Sequence, residues 1–305
     1  MPTIDIAGLH VFERGWLSSN NVLFTDGERS LLVDSGYCTH AEQTLQLVQR
    51  VLDDRPLDYL VNTHLHSDHC GGNASLHARY PLLQTLIPPG QATSVSPWDP
   101  VALTYLPTGQ RCPQFSFNDV IQPGSEIQFG QQFWQVHATA GHDPHSLIFF
   151  DPAERILISA DALWENGFGV VFPELEGQDA FSQVAATFDL IEELKPVTVI
   201  PGHGPVFSYS DAVLARARAR LDYFERSPMK HARHAAKVLI KFKLLEAQQL
   251  SVKELARWVS NTSYLINIRT SFFQAEPQNE WIDSLLGELA AADAVQRSDD
   301  TLLNV

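Results

Sequence analysis

Cysteine is scarce. Cys38, Cys70 and Cys112 are the only three in 305 residues, too few and too irregularly spaced for a disulfide framework or a C-x-x-C metal site. An intracellular, reduced chain is the simpler expectation. Also missing is any apolar run near the roughly 18 residues that would cross a bilayer, and Met1-Pro2-Thr3-Ile4-Asp5 has no basic stretch ahead of an apolar one. A cytoplasmic protein with no membrane partner is therefore expected. Cations are outnumbered, 21 Lys and Arg against 36 Asp and Glu, for a net charge of −15. That balance disfavours wrapping of bare nucleic acid, which needs clustered Lys and Arg. There is no internal repeat and no low-complexity tract.

What is present is globular. Hydrophobic residues make up 44%, with six Trp, seven Tyr and 17 Phe, which excludes a disordered chain. Short apolar runs, Leu9–Phe12, Asn21–Phe24 and Ser30–Val33, read as strands, the last two joined by an Asp26-Gly27 hairpin signal. Leu45, Val48, Val51 and Leu52 recur at helical spacing and predict a helix over about 40–54, after which Leu57–Asn62 reads as a buried strand. Residues 88–119 hold Pro88, Pro89, Gly90, Pro97, Pro100, Pro107, Gly109 and Pro113, a density that forbids long regular elements. This loop is expected either to pack on the surface or to cover a site.

Strands resume at Glu126–Phe129, Phe133–Ala138, Leu147–Phe150, Ile156–Ser159 and Val197–Ile200, with a helix over Asp179–Leu194. Beyond Pro205 the pattern predicts helices at 211–224, 230–248, 252–260 and 278–291 and no strong strand. Residues 1–208 hold 8 basic and 24 acidic side chains, the remainder 13 and 12. The two changes together place a domain boundary near 208, giving domains 1–208 and 209–305.

The chemistry is concentrated in Thr63-His64-Leu65-His66-Ser67-Asp68-His69-Cys70-Gly71-Gly72. Three imidazoles and a carboxylate fall within six positions directly after a predicted strand, and a folding core has no use for them because unpaired they are expensive to bury. Neutral imidazole and carboxylate suit divalent first-row metals. His64 and His66 can turn to one ion while Asp68 and His69 turn to a second; the plainer alternative is a polar helix start capped by Ser67 or Asp68. One loop cannot close two metal shells, so further donors are expected just past later strands, where an α/β sheet places its functional groups. His142 after Phe133–Ala138, Asp161 after Ile156–Ser159 and His203 after Val197–Ile200 meet that requirement.

With these residues the chain resembles the metallo-β-lactamase-fold hydrolase superfamily over about residues 8–207. The likeness is carried by the H-x-H-x-D-H string His64–His69, by Gly141-His142, by Asp161, by His203 in Gly202-His203-Gly204 and by Asp34 in Leu32–Gly36. It implies an α/β fold, an αββα sandwich with the site at one edge between two sheets, here followed by a C-terminal helical domain. It further implies that His64, His66 and His142 hold one metal, that Asp68, His69 and His203 hold the other, that Asp161 bridges them and that Asp34 supports the loop from behind. Two divalent ions follow, zinc being the default, with manganese or iron the metals other members hold.

Paired ions lower the pKa of water toward ~7 and polarise an attacked carbonyl or phosphoryl group, so hydrolysis by a bridging hydroxide is the implied chemistry. Asp68 is the candidate catalytic residue, orienting water or relaying a proton. An aspartate at position 161 is similar to glyoxalase II-type thioesterases, lactonases and phosphodiesterases, whereas true β-lactamases carry Cys or Ser there. A small ester, thioester or lactone is the expected substrate. The alternative is a phosphodiesterase or ribonuclease acting at the same dinuclear site.

The family motif after Gly141-His142 is altered to Asp143-Pro144-His145-Ser146, so His145 is either a substrate contact or a loop histidine bonded to backbone. Residues 214–243 carry Arg216, Arg218, Arg220, Arg226, Lys230, Arg233, Lys237, Lys241 and Lys243 against Asp222 and Glu225. This strip is either a solvated helix face or a means of capturing an anionic substrate, a small molecule with a carboxylate or phosphate group or an RNA backbone. The segment from Ser251 to about Tyr264 faintly resembles the winged-helix tails that cover the cleft in some relatives.

Overall fold

Alternation along the early strands assigns the two faces of a sheet. Val22, Phe24, Leu31, Val33 and Val61 point one way into a core shared with Phe129, Trp134, Val136, Leu147, Phe149, Ile156, Ile158 and Ile200. Their neighbours Leu23, Leu32 and Leu60 point the other way, against Val48, Leu52, Leu76 and Tyr80 of the covering helices. A sheet buried on both faces needs continuous apolar strands, as these are.

The computed structural model describes residues 8–305, so the reading of Met1–Asp5 lies outside the described residues. The first sheet is ordered β1 (Leu9–Phe12), β2 (Asn21–Phe24), β3 (Leu31–Val33), β4 (Tyr59–Val61), β5 (Gln84–Ile87), β6 (Asp119–Val120). It is antiparallel through β3 and parallel from β3 to β6. The second runs β12 (Phe207–Ser208), β11 (Thr198–Pro201), β10 (Ile156–Ala160), β9 (Leu147–Asp151), β8 (Gln132–Ala138), β7 (Glu126–Phe129) and is antiparallel except at β10–β11.

Helices Ala41–Leu52 and Asn73–Arg79 supply the residues that cover the first sheet. Beyond the second sheet, helix Ala180–Leu194 buries Phe181, Val184, Phe188 and Ile191. This is the expected αββα sandwich. In the Pro-rich stretch no element exceeds four residues.

The chain divides into two compact units. One runs to Leu103 and takes up again over Cys112–Asp222; the other comprises Thr104–Arg111 and Tyr223–Val305. The boundary expected near 208 is thus displaced to within helix Asp211–Arg226, because Arg218 on that helix pairs with Asp189 and Glu192 of the first unit at 2.7 and 2.9 Å. The second unit is helical, with Pro228–Ala247, Val252–Val259, Ser263–Phe272 and Gln278–Ala291.

No strong strand is expected there, and that unit holds only a small antiparallel sheet of short strands in the order β13 (Gln249–Ser251), β15 (Thr301–Asn304), β14 (Val295–Ser298). Strands of three or four residues with one buried side chain or none leave no alternation to read. Ser251 and Glu254 form a reciprocal capping box at the start of Val252–Val259. Among the described residues, no helix is long and apolar enough to cross a membrane.

Thr104–Arg111 belongs to the second unit because its helix Tyr105–Thr108 packs on Ser263–Phe272 and Arg111 meets the buried carboxylate of Glu246 at 2.5 Å. Gly109 makes that packing possible. Its φ is +67°, and a Cβ there would sit 2.6 Å from Trp258 Nε1 and 2.9 Å from Thr262 Oγ1. Gly109→Ala is therefore expected to destabilise this unit by about 1–3 kcal/mol, read as a lowered melting temperature.

Candidate metal centre

Each donor reaches the centre from the end of a strand. The string after β4 turns at once into the short helix Ser67–Cys70, which aims His64, His66, Asp68 and His69 inward. Past β10 a register shift against β11 and a left-handed Ala160 (φ 46°) turn Asp161 out of the sheet. His203 follows β11, and Gly202 before it is required for close approach: a Cβ there would lie 2.2 Å from Asp161 Oδ1.

The seven residues singled out in the sequence come together in one cluster. His64, His66 and His142 form one group whose donor atoms lie within 4.8 Å of one another; Asp68, His69 and His203 form a second, and His64, His69 and Asp161 a third. Individual separations are 3.1 Å for His64 Nε2 to His66 Nδ1 and 2.9 Å for His66 Nδ1 to His142 Nε2. Asp161 Oδ2 lies 3.4 Å from His142 Nε2, Asp161 Oδ1 lies 3.4 Å from His69 Nε2, and His203 Nε2 lies 3.2 Å from Asp68 Oδ2. Donors at ~2.0–2.1 Å on a tetrahedron are about 3.3 Å apart, so these edges suit divalent ions.

Ordinary hydrogen bonding does not satisfy the cluster. His142 donates Nδ1–H to the Val170 carbonyl at 2.7 Å, which leaves a lone pair on Nε2. Thr63 gives its hydroxyl proton to Asp34 Oδ2 at 2.8 Å and so accepts from His64 Nδ1 at 3.1 Å, leaving a lone pair on His64 Nε2 as well. A proton on His66 Nδ1 could serve only one of those two; a cation serves all three nitrogens. Buried His69 Nε2 has only the Asp161 carboxylate facing it, at 3.4 Å and without a well-formed hydrogen bond, and His203 Nδ1 is buried with no hydrogen-bond partner. Buried polar atoms without partners are rare, and in this cluster a bound ion accounts for the first.

Asp34 holds the arrangement from behind. Its carboxylate accepts the Thr63 backbone N–H at 2.9 Å and His69 Nδ1–H at 2.7 Å, which directs His69 Nε2 to the centre. Burial works against charge on His69, yet the carboxylates of Asp161 and Asp34 hold its imidazole well above the ordinary value. Burial, with His69 and His66 adding to it, pushes His64 well below. Burial and His66 bring His142 down to about 4. Burial would raise the two acids, but the His203 hydrogen bond and His69 lower Asp68, and His69 and His203 hold Asp161 well below the carboxylate range. Access is from the side of His66, Asp68 and His142, whose side chains are 21%, 15% and 10% exposed while His64 and His69 are fully buried.

The remaining candidates divide. His145 donates its backbone N–H to Asp143 Oδ1 at 2.7 Å and its ring abuts Gly90. His40, His77 and His10 bond Ser18, Thr85 and Thr25. Cys70 turns its thiol to the Leu65 and His66 carbonyls, 3.8 Å from that of Cys112. Most of the cations in 214–243 are engaged. Arg218, Arg233, Lys237 and Lys243 meet carboxylates; Arg216, Arg220 and Lys241 meet carbonyls. Phe168 lines a small apolar recess beneath His142 and Asp161, with Thr139, Val184 and Thr187.

Sequence reasoning missed Trp16. Its indole stacks on His203 at 5.5 Å and 12°, and no local pattern marks it, since the two are brought together by contacts across almost the whole first unit.

Comparison with known proteins agrees with this architecture. The chain is 26% identical over 216 residues to the putative diflavin flavoprotein A 2 of Synechocystis sp., covering 65% of this chain and 35% of that one. It is 24% identical over 165 residues to the hydroxyacylglutathione hydrolase of Brucella anthropi, covering 54% and 52%. The chain thus spans between about a third and a half of the length of these curated relatives. Among solved structures, a protein in a di-iron-bound form matches with a TM-score of 0.53 and 26% identity, over 70% of this chain and 98% of that one. The sequence profile of the metallo-beta-lactamase superfamily matches residues 14–203, more than half of the length, and the chain belongs to that superfamily.

Proposed function

We propose that the chain is a dinuclear metal-dependent hydrolase of small esters, thioesters or lactones. The observation that carries this reading is the position of Asp161, whose two oxygens each lie 3.4 Å from a different histidine, His142 in one half of the centre and His69 in the other. In this reading His64, His66 and His142 hold one ion, Asp68, His69 and His203 the other, and Asp161 both. Zinc is the proposed metal, since imidazole and carboxylate are both ordinary zinc donors; the di-iron-bound neighbour makes iron the rival. When bound, such ions supply water acidification and Lewis-acid polarisation.

The chain's own residues do the rest. Neutral His64 and His142 present lone pairs without first losing a proton, and Asp34 fixes the ring of His69. Asp68, ionised and the more exposed of the two central carboxylates, faces the open side and is placed to take a proton and return it to the leaving group. The name of the Brucella relative supports acyl chemistry. Nucleic acid as substrate lacks support: most cations of the basic strip are engaged, and helix Gln278–Ala291 carries Glu280, Asp283 and Glu288 with no cation.

Elemental analysis followed by a panel of acyl thioesters, nitrophenyl esters, lactones and bis-nitrophenyl phosphate tests the proposal, with Asp68→Ala as control. Two ions per chain and acyl turnover that Asp68→Ala suppresses by about 100-fold or more are expected. Turnover of the phosphodiester alone, less than one ion per chain, or two irons with oxygen consumption and no acyl cleavage would each overturn it.

A further inference from the structure

Trp16 is 56% exposed. A single exposed indole is unremarkable on a protein surface, but this one lies on a ring of the metal centre. Trp16 and His203 are stacked, centroids 5.5 Å apart and planes 12° from parallel. Trp164 stands edge-on to both, 5.3 Å from Trp16 and 5.5 Å from His203. Trp16 thus has one face toward His203 and an edge contact with Trp164, and at 56% exposure much of the rest of its indole is left to solvent. Trp164 is itself tied to the centre, donating Nε1–H to Asp161 Oδ1 at 3.3 Å.

The segment that follows Trp16 is anchored. Residues 17–20 are buried. Ser19 donates its backbone N–H to the Asp68 carbonyl at 2.9 Å and Asn20 donates its own to the Gly202 carbonyl at 2.7 Å. The Asn20 side-chain amide bonds the Pro201 and Gly204 carbonyls at 2.9 and 2.7 Å. One short loop is thereby fastened to both of the turns that carry Asp68 and His203. Leu17 follows into the core, and Trp16 alone of this stretch is a large apolar side chain left facing solvent.

Resting on the hydrolase reading above, we infer that Trp16, backed by His203 and flanked by Trp164, is a specificity platform for a planar aromatic group in the acyl part of the substrate. An indole exposed in this way favours a flat ring over an aliphatic group of equal bulk, because stacking adds to burial, and anchoring the platform reduces the ordering entropy lost in binding.

The test compares acetyl, cyclohexylacetyl and phenylacetyl thioesters of one thiol on the metal-loaded chain, and separately the binding of acetate and phenylacetate by tryptophan fluorescence. The phenylacetyl substrate is expected to lead the acetyl one by about tenfold in kcat/KM, carried by KM, with cyclohexylacetyl between them. Trp16→Ala should erase the lead and the preference for phenylacetate over acetate, while Trp16→Phe keeps most of both. Equal rate losses for all three thioesters in Trp16→Ala, or no lead in the unaltered chain, would overturn the platform. If no thioester, ester or lactone is cleaved, the hydrolase reading falls; the platform then stands or falls on whether phenylacetate binding depends on Trp16.

Discussion

Asp161→Asn is expected to lower acyl turnover by more than about 100-fold and to leave the chain with fewer than two tightly held ions. Losing a group that merely orients a ligand lowers metal affinity or activity by 10–100-fold in typical sites. Asp161 offers one oxygen to each half of the centre, so its replacement should exceed that range. The amide has the same shape and can still accept from Trp164 Nε1, so the fold should persist and the loss should appear in metal content and kcat rather than in melting temperature. Gly202→Ala provides an independent route to the same phenotype. Its Cβ would come within 2.2 Å of Asp161 Oδ1, so the carboxylate must move although no donor has been removed. If Asp161→Asn keeps two ions and its full rate, the carboxylate does not bridge.

Much of this centre is legible in the sequence because its chemistry and its topology coincide. The string His64–His69 is unusual in composition, and His142, Asp161 and His203 each stand just past an apolar run that can only be a strand. Strands β10 and β11, which end just before Asp161 and His203, are expected within one residue of where they occur. What could not be read depends on contacts between distant segments. Trp16 meets His203 because Asn20 bonds Pro201 and Gly204, partners more than 180 residues away. Thr104–Arg111 looks like part of one long Pro-rich loop, yet it folds with the helical unit because Gly109 fits against Trp258. The basic strip of 214–243 looked able to capture an anion, but four of its cations meet the carboxylates of Asp189, Glu192, Glu246 and Glu288, only one of which is adjacent in sequence. Helix Ser263–Phe272 escaped notice because only Leu265 and Ile268 are buried on it, too few to show a helical period.

Asp34→Ala should be the most destabilising of the substitutions considered, and its effect should depend on both pH and metal. Asp34 is buried, sits in the left-handed region at φ 57°, and accepts from Thr63 N, Thr63 Oγ1 and His69 Nδ1. Removing one partner of such a buried charged pair typically destabilises by about 3–5 kcal/mol, which lowers the melting temperature of a domain of this size by roughly 10 °C or more. In the metal-free chain His69 is the group whose value is raised on folding, by Asp161 and Asp34 against the effect of burial. Its contribution to stability is therefore complete below the ordinary imidazole value and is lost as pH rises through the raised one. An ion at the same place requires the imidazole to be neutral, so metal and proton compete for His69 and metal affinity should fall as pH drops. Two curves follow. The melting temperature of metal-free protein should decline as pH rises above neutrality, while that of loaded protein should not, so that the increment conferred by metal widens with pH. In Asp34→Ala the proton on His69 has lost one of its two carboxylates, and the alkaline decline of the metal-free chain should shrink accordingly. Thermal melts of chelated and loaded protein between pH 5 and 9 would show it, and parallel curves for the two chains would mean that Asp34 does not act through His69.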